Sequence, residues 1–324
     1  MSKHKAPGKS YRKGISLFEL QQMFPNEEAA RRWFEKIIWP DGPQCPHCGS
    51  LDARPRKNMK PMPYRCGDCR KHYSVKTDTL MRGSPLPLLK WVYAIYLDCA
   101  SLKGVASMKL YREIGITQKT AWFMQQRIRE AFADQGPPVL MEGPIEVDET
   151  YVGGKARNMH AAKRKELTGR GGADKTAVVG AKDRKTNRVA AKVVERTDGP
   201  TLQGFVVDNA EWDAEIYTDD ATAYRALANH STVKHSAGQY VDGQIHTNGV
   251  ESFWSMLKRA HKGTFHKLSP KHLQRYVNEF AGRHNIRELG TLSQMAVLAA
   301  RMGGKRLQYA TLIAPNGLDS AARS

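Results

Sequence analysis

The chain has 324 residues, 40% hydrophobic and 26% charged, room for two or three domains and the composition of a globular protein rather than a disordered or fibrous one. Lysine and arginine number 51 against 32 acids, an excess of +19 that calls for a polyanionic partner, nucleic acid before a membrane surface. No apolar run reaches the roughly 20 residues of a membrane helix, and no apolar signal region follows the basic N-terminus. The five cysteines fall as two C-x2-C pairs plus Cys99, which speaks against secreted disulfides and for a reduced, cytoplasmic protein.

Residues 1–14 form a basic arm with Lys3, Lys5, Lys9, Arg12 and Lys13, either a frayed terminus or a DNA contact. From Ser16, the spacing of Leu17, Leu20 and Phe24 predicts a short helix stopped by Pro25. Asn26 can cap a second helix, with Glu27 and Glu28 in its first turn and Ala30, Trp33, Phe34, Ile37 and Ile38 as its buried stripe. Arm and helices make a lead-in over residues 1–40.

Cys45-Pro46-His47-Cys48 and Cys66-Gly67-Asp68-Cys69 are separated by 17 residues, the spacing of a structural zinc site. Four thiolates close a tetrahedron, so one structural Zn²⁺ would fold a ribbon over residues 41–80 and catalyse nothing. Arg54, Arg56, Lys57, Lys60, Arg65, Arg70, Lys71 and Lys76 surround it, as suits a ribbon lying on phosphates; zinc without DNA contact is the alternative.

Residues 84–135 predict three helices. Leu86, Leu89, Val92, Tyr93, Tyr96 and Leu97 recur at helical spacing, with Cys99 an inert buried thiol. A second helix spans 105–112, Gly115 makes the turn, and Thr117 caps a third helix carrying Ala121, Met124 and Ile128. Two helices about a short Gly-containing turn are a helix-turn-helix signature. Gln118, Lys119 and Thr120 would then open the recognition helix and reach base edges; the alternative is ordinary three-helix packing.

After a linker at 135–138, the stretch Glu146-Val147-Asp148-Glu149-Thr150-Tyr151-Val152 reads as a strand, one face apolar and the other, with Glu146, Asp148 and Thr150, bearing oxygen ligands. Residues 155–175 are a basic, Gly-rich loop. The segment 169–176 resembles a phosphate loop but fails, because Asp174 stands where the last Gly belongs and the segment precedes a strand. A hairpin over 177–181 and 188–194, a helix over 201–207, a strand over 214–217 leading to Asp219 and its rival Asp220, and a helix over 221–228 follow. A helix over 249–261 buries Val250, Phe253, Trp254 and Leu257, and sets Glu251 and Lys258, seven apart, in line on the stripe's edge. Lys258, Arg259, His261 and Lys262 extend a positive strip suited to DNA. A helix over 271–283 with Tyr276 and Phe280 inward, a helix over 292–302 and a basic tail over 301–324 close the chain. The layout is mixed α/β, a sheet covered by helices. Asp148, Asp219 and Glu251 can meet only through folding, and such a set suits Mg²⁺ or Mn²⁺, two of which can clamp a phosphoryl transfer.

The ordered set formed by the two cysteine pairs, Val147 to Gly154, Tyr217-Thr218-Asp219, His246-Thr247-Asn248-x-Val250-Glu251-Ser252-Phe253-Trp254-x3-Lys258-Arg259 and Arg283-His284-Asn285 resembles the bacterial insertion-sequence transposases with a zinc ribbon and a DDE domain, relatives of the Merlin elements. The resemblance spans nearly the whole chain. It implies an RNase H-like catalytic domain over 139–300, with Asp148, Asp219 and Glu251 as the acidic triad holding two Mg²⁺ ions and Lys258 as the lysine that follows it. Asn248 is a rival third ligand. It also implies binding of terminal inverted repeats, end cleavage and strand transfer into target DNA, and a homodimer or higher assembly on DNA in a bacterial, nucleoid-associated setting. The competing expectation is a zinc-ribbon DNA-binding regulator whose acidic domain is structural.

Overall fold

The structure is a computed structural model that describes residues 12–133, 139–154, 161, 175–219, 222–233 and 246–318. The basic arm before Arg12, the linker at 135–138, most of the loop at 155–175 and Asp220 lie outside them. The chain divides into two units: one runs to Phe132 and resumes over Ile286–Ala314, and the other runs from Ala133 to Asn285.

The first unit opens with α1 (Leu17–Met23). The Ser16 hydroxyl accepts the Glu19 N–H at 3.2 Å and the Glu19 carboxylate takes the Ser16 N–H at 2.6 Å, so two orphan amides of the first turn are satisfied reciprocally. Asn26 caps α2 (Glu27–Ile38), accepting from the Ala29 N–H at 3.0 Å. Three very short antiparallel strands follow in the order β1-β2-β3: β1 (Ala53–Pro55), β2 (Tyr64–Cys66) and β3 (His72–Tyr73). Then come α3 (Leu88–Ala100), α4 (Ser107–Ile114) and α5 (Gln118–Phe132). Gly115 ends α4 in the left-handed region at φ 59°, which a residue without Cβ adopts freely. Leu20, Phe34, Trp91, Ile95, Leu110, Met124 and Ile128 form one core.

The second unit is a five-stranded sheet in the order β6-β5-β4-β7-β8. Its strands are β4 (Ile145–Val152), β5 (Thr176–Asp183), β6 (Val189–Val194), β7 (Ile216–Asp219) and β8 (His230–Val233). β4, β5 and β6 are mutually antiparallel, whereas β7 runs parallel to β4 and β8 parallel to β7. Strand parity sorts the side chains. Ile145 and Val147 join Val179, Ala181 and Ile216 in a core with Leu202 and Phe205 of α6 (Gly199–Val207). Val152 and Val178 face the other way, into a core with Val250, Phe253, Trp254 and Leu257 of α7 (Asn248–Ala260) and Val277 and Phe280 of α8 (Leu273–Asn285).

Gly180, opposite Asp148 in the register, makes room for α7: a Cβ there would lie 2.6 Å from the Trp254 ring. Gly180→Ala should therefore push the indole off its seat and cost about 1–3 kcal/mol, the usual penalty for overpacking. A urea-midpoint comparison checks this, and an unchanged midpoint would refute the close fit.

Three expectations are corrected here. The sheet unit ends at Asn285, not near 300: α9 (Thr291–Ala300) buries Met295, Leu298 and Ala299 in the core of the first unit. The expected basic tail is in fact structured as far as Ala314, because Met302, Leu307 and Leu312 are apolar and find the same core, the last on α10 (Tyr309–Ile313). In place of a helix over 221–228 there is one 3-10 turn, Thr222–Tyr224, before β8. Tyr224 is buried under β4 while His230 already pairs with β7, and a longer helix would leave no chain to re-enter the sheet.

Among the described residues no helix is long and apolar enough to cross a membrane.

Candidate functional site

The four cysteines come together. Cys45 Sγ lies 3.6 Å from Cys69 Sγ and Cys48 Sγ 3.6 Å from Cys66 Sγ, and all four sulfurs fall within 4.8 Å of one another. A tetrahedron with Zn–S bonds of about 2.3 Å has edges of roughly 3.8 Å, so the set fits a structural zinc. Burial opposes charge on Cys66, but the Cys69 N–H and the Cys48 thiol outweigh it and bring the thiol down to about 6, in favour of the thiolate a metal needs. Trp39, Tyr64 and Tyr73 support the ribbon, with Tyr64 and Tyr73 stacked at 5.5 Å and Trp39 edge-on to both.

The acids follow from register. Glu146 of β4 pairs with Tyr217 of β7. Two residues further on stand Asp148 and Asp219, so both project from the same face of neighbouring parallel strands. That face is the one α7 covers, and α7 carries Glu251. The Asp148 carboxyl is pushed up to about 7, first by burial and then by the charges of Glu149, Asp219 and Glu251, against the opposing pull of the Glu149 N–H. A half-buried acid whose charged neighbours among the described residues are acids suits a hard divalent cation. Among the described residues the four cysteines are the one group of three or more ligands gathered closely enough to hold a metal as they stand.

On the opposite face Glu149 accepts a hydrogen bond from the Tyr224 hydroxyl. Burial raises this carboxyl and the Tyr224 bond opposes the rise. Burial, then the Glu149 charge, holds the Tyr224 phenol far above its ordinary range. The Thr218 hydroxyl lies 2.7 Å from His230 Nε2, tying β7 to β8 beside Asp219, and burial holds His230 below its usual value.

Asn248, Glu251, Ser252, Ser255, Lys258 and Arg259 line one open groove along α7. Both candidates for the third ligand therefore lie on the same wall, one turn apart. Glu251 Oε1 accepts from the Thr247 hydroxyl at 3.2 Å. Lys258, Arg259 and Lys262 are all exposed.

The three residues expected to read bases have partners within their own unit. Gln118 donates to the Ser107 hydroxyl at 3.1 Å, Thr120 shares a 2.8 Å hydroxyl contact with Thr117, and the Lys119 ammonium sits 4.7 Å above the Tyr309 ring.

Sequence reasoning took Glu146, Asp148 and Thr150 for a polar strand face. The face is instead covered: Glu146 and Thr150 are each 2% exposed. Glu146 is paired with Arg184 at 2.7 Å, a contact the alternation pattern does not announce. The available signal was an acid two residues before Asp148, hence on the same face.

Comparison with known proteins agrees with this division of the chain. Residues 25–72 match the family described as a transposase zinc-ribbon domain, and residues 140–285 match the ISXO2-like transposase domain. A protein in the transposable element ISH50 of Halobacterium salinarum is 28% identical over 279 residues, covering 81% of this chain and 92% of that relative. With both domains in this order, and a relative borne on a mobile element along most of its length, the chain belongs to the insertion-sequence transposases that carry an N-terminal zinc ribbon.

Proposed function

We propose that this transposase is a DDE enzyme that binds the terminal inverted repeats of its element, cuts at their ends and joins them to target DNA. The observation that carries the reading is Asp148, half-buried on the same sheet face as Asp219 and within the field of Glu251. A sheet order of β6-β5-β4-β7-β8, antiparallel in its first three strands and parallel in the rest, supports an RNase H-like domain. The α4-Gly115-α5 turn supports a helix-turn-helix-type end-binding part beside the ribbon.

Asp148, Asp219 and Glu251 would hold two Mg²⁺ ions. When bound, such ions neutralise developing charge and hold the attacking and leaving oxygens in line. Glu251 is preferred to Asn248 because a carboxylate neutralises the cation and a carboxamide does not. Thr247 steadies Glu251 through its hydroxyl. Lys258 and Arg259, on the groove beside Glu251, would seat the DNA backbone, with exposed Lys262 extending the cationic strip. A water-mediated cut frees a 3′-hydroxyl, which then attacks the target phosphate in line with no covalent enzyme intermediate. Joining two ends calls for at least a homodimer on DNA.

The test uses labelled duplexes carrying the element ends, with and without Mg²⁺. Asp148→Ala should lower cleavage and strand transfer on the order of a thousandfold or more, the scale of losing a charge-stabilising group, while end binding in a gel shift stays intact. Joining by the variant with Mg²⁺ would refute the assignment. Specific binding by the wild type without metal-dependent cleavage would fit a zinc-ribbon regulator.

A further inference from the structure

The geometry points to the buried Glu146–Arg184 pair as a positioning element that sets the spacing of the three acids; this rests on the DDE reading above. The pair touches every element that carries one of them. Glu146 lies on β4, two residues before Asp148, and its Oε1 accepts from Arg184 Nε at 2.7 Å. Its Oε2 accepts the backbone N–H of Val250 at 2.9 Å, one residue before Glu251. A strand carboxylate thus satisfies a free amide of the first turn of α7, where a negative charge is also favoured by the helix dipole. Arg184, just beyond β5, donates to the backbone carbonyl of His246 and to its Nδ1, both at 2.7 Å, and so fixes the lead-in to α7. Its guanidinium also lies 4.7 Å over the ring of Tyr217, two residues before Asp219 on β7.

Gly249 completes the fit. A Cβ there would stand 2.7 Å from Glu146 Oε2 and 2.8 Å from Lys182 Nζ, so a side chain at this position would have to push the carboxylate and the ammonium aside. The pair is 2% exposed on the Glu146 side and 17% on the Arg184 side. Its partners hold both groups in one geometry, as a fork-shaped guanidinium does better than an ammonium. Groups that orient metal ligands without touching the metal commonly change metal affinity or activity by about 10- to 100-fold when altered.

The experiment uses the full chain and three readouts: thermal unfolding, end binding in EDTA, and the Mg²⁺ concentration giving half-maximal end cleavage. Glu146→Gln keeps the shape and an acceptor for Val250 but loses the charge facing Arg184. It should raise the half-maximal Mg²⁺ concentration by about tenfold or more and leave end binding unchanged. Gly249→Ala displaces the same carboxylate from the helix side and should shift the Mg²⁺ requirement in the same direction; it carries the test if the first variant does not fold. Wild-type Mg²⁺ dependence in folded Glu146→Gln, or loss of folding in both variants, would reduce the pair to an ordinary core ion pair. Asp148→Asn runs alongside: if it still cleaves, the DDE reading itself falls, whereas a dead Asp148→Asn beside an unaltered Glu146→Gln overturns this inference alone.

Discussion

Cys66→Ser, or treatment with a strong zinc chelator, is expected to unfold residues 45–73. The strands there are three, three and two residues long, too short to hold a sheet by themselves. Their apolar support is small: Cys45, Cys66 and Tyr73 are buried, with Trp39, Ala53, Tyr64 and Cys69 packed around them. Structural zinc contributes about 10–16 kcal/mol of apparent binding free energy in comparable small sites, more than such a cluster supplies. Hydrogen exchange should show protection lost at Tyr64–Cys66 and His72–Tyr73 after chelation, while α3 and α5, whose residues belong to the separate large core, stay protected. Metal analysis should give one zinc per chain, falling to none in the variant. Protection that survives chelation would mean the thiols are not the ribbon's support.

The second large effect concerns Asp148. Its carboxyl is raised from 3.8 to about 7, so between those pH values the folded chain keeps a proton that the unfolded chain releases. Stability of the metal-free protein should therefore fall as pH rises from about 4 to about 7. At 1.36 kcal/mol per pKa unit the ceiling is about 4 kcal/mol, and partial solvent access brings the expectation to about 2–3 kcal/mol. Asn in this position has no proton to lose. In EDTA, Asp148→Asn should be the more stable protein at pH 8 and nearly equal to wild type at pH 4, as judged by urea midpoints. Saturating Mg²⁺ should recover stability in the wild type and little in the variant. Parallel pH profiles for the two proteins would sink the claim that burial and the neighbouring acids hold this proton in place.

What could be read from the chain and what could not separates along physical lines. The cysteine pairs, the short helix that begins after Ser16, the cap at Asn26 and the turn at Gly115 are local: a few neighbouring residues determine them, and each stands as expected. The shared face of Asp148 and Asp219 was also within reach, because period-two alternation fixes facing once the strands are known. Partnership was not. The apolar stripe of α9 announces that Met295 and Leu298 are buried but not in which core, and the assignment to the sheet unit failed for that reason. β8, His-Ser-Thr-Val, was invisible because its polar residues are satisfied by tertiary contacts such as that between Thr218 and His230. Glu146 escaped because alternation assumes one wet face, whereas this sheet is covered on both.

The first unit is discontinuous in sequence, with residues 133–285 spliced between α5 and α9. Synthesis from the N-terminus therefore delivers the ribbon and the three helices long before the segment that seals their core with Met295, Leu298, Met302, Leu307 and Leu312. A nascent chain must hold that open apolar surface while the whole sheet unit is being made, an interval in which chaperones can engage it. A product halted near residue 285 would contain every acid of the sheet and still lack a sealed N-terminal part. Premature termination in this gene should thus yield a chain destined for proteolysis, not a competing DNA-binding fragment.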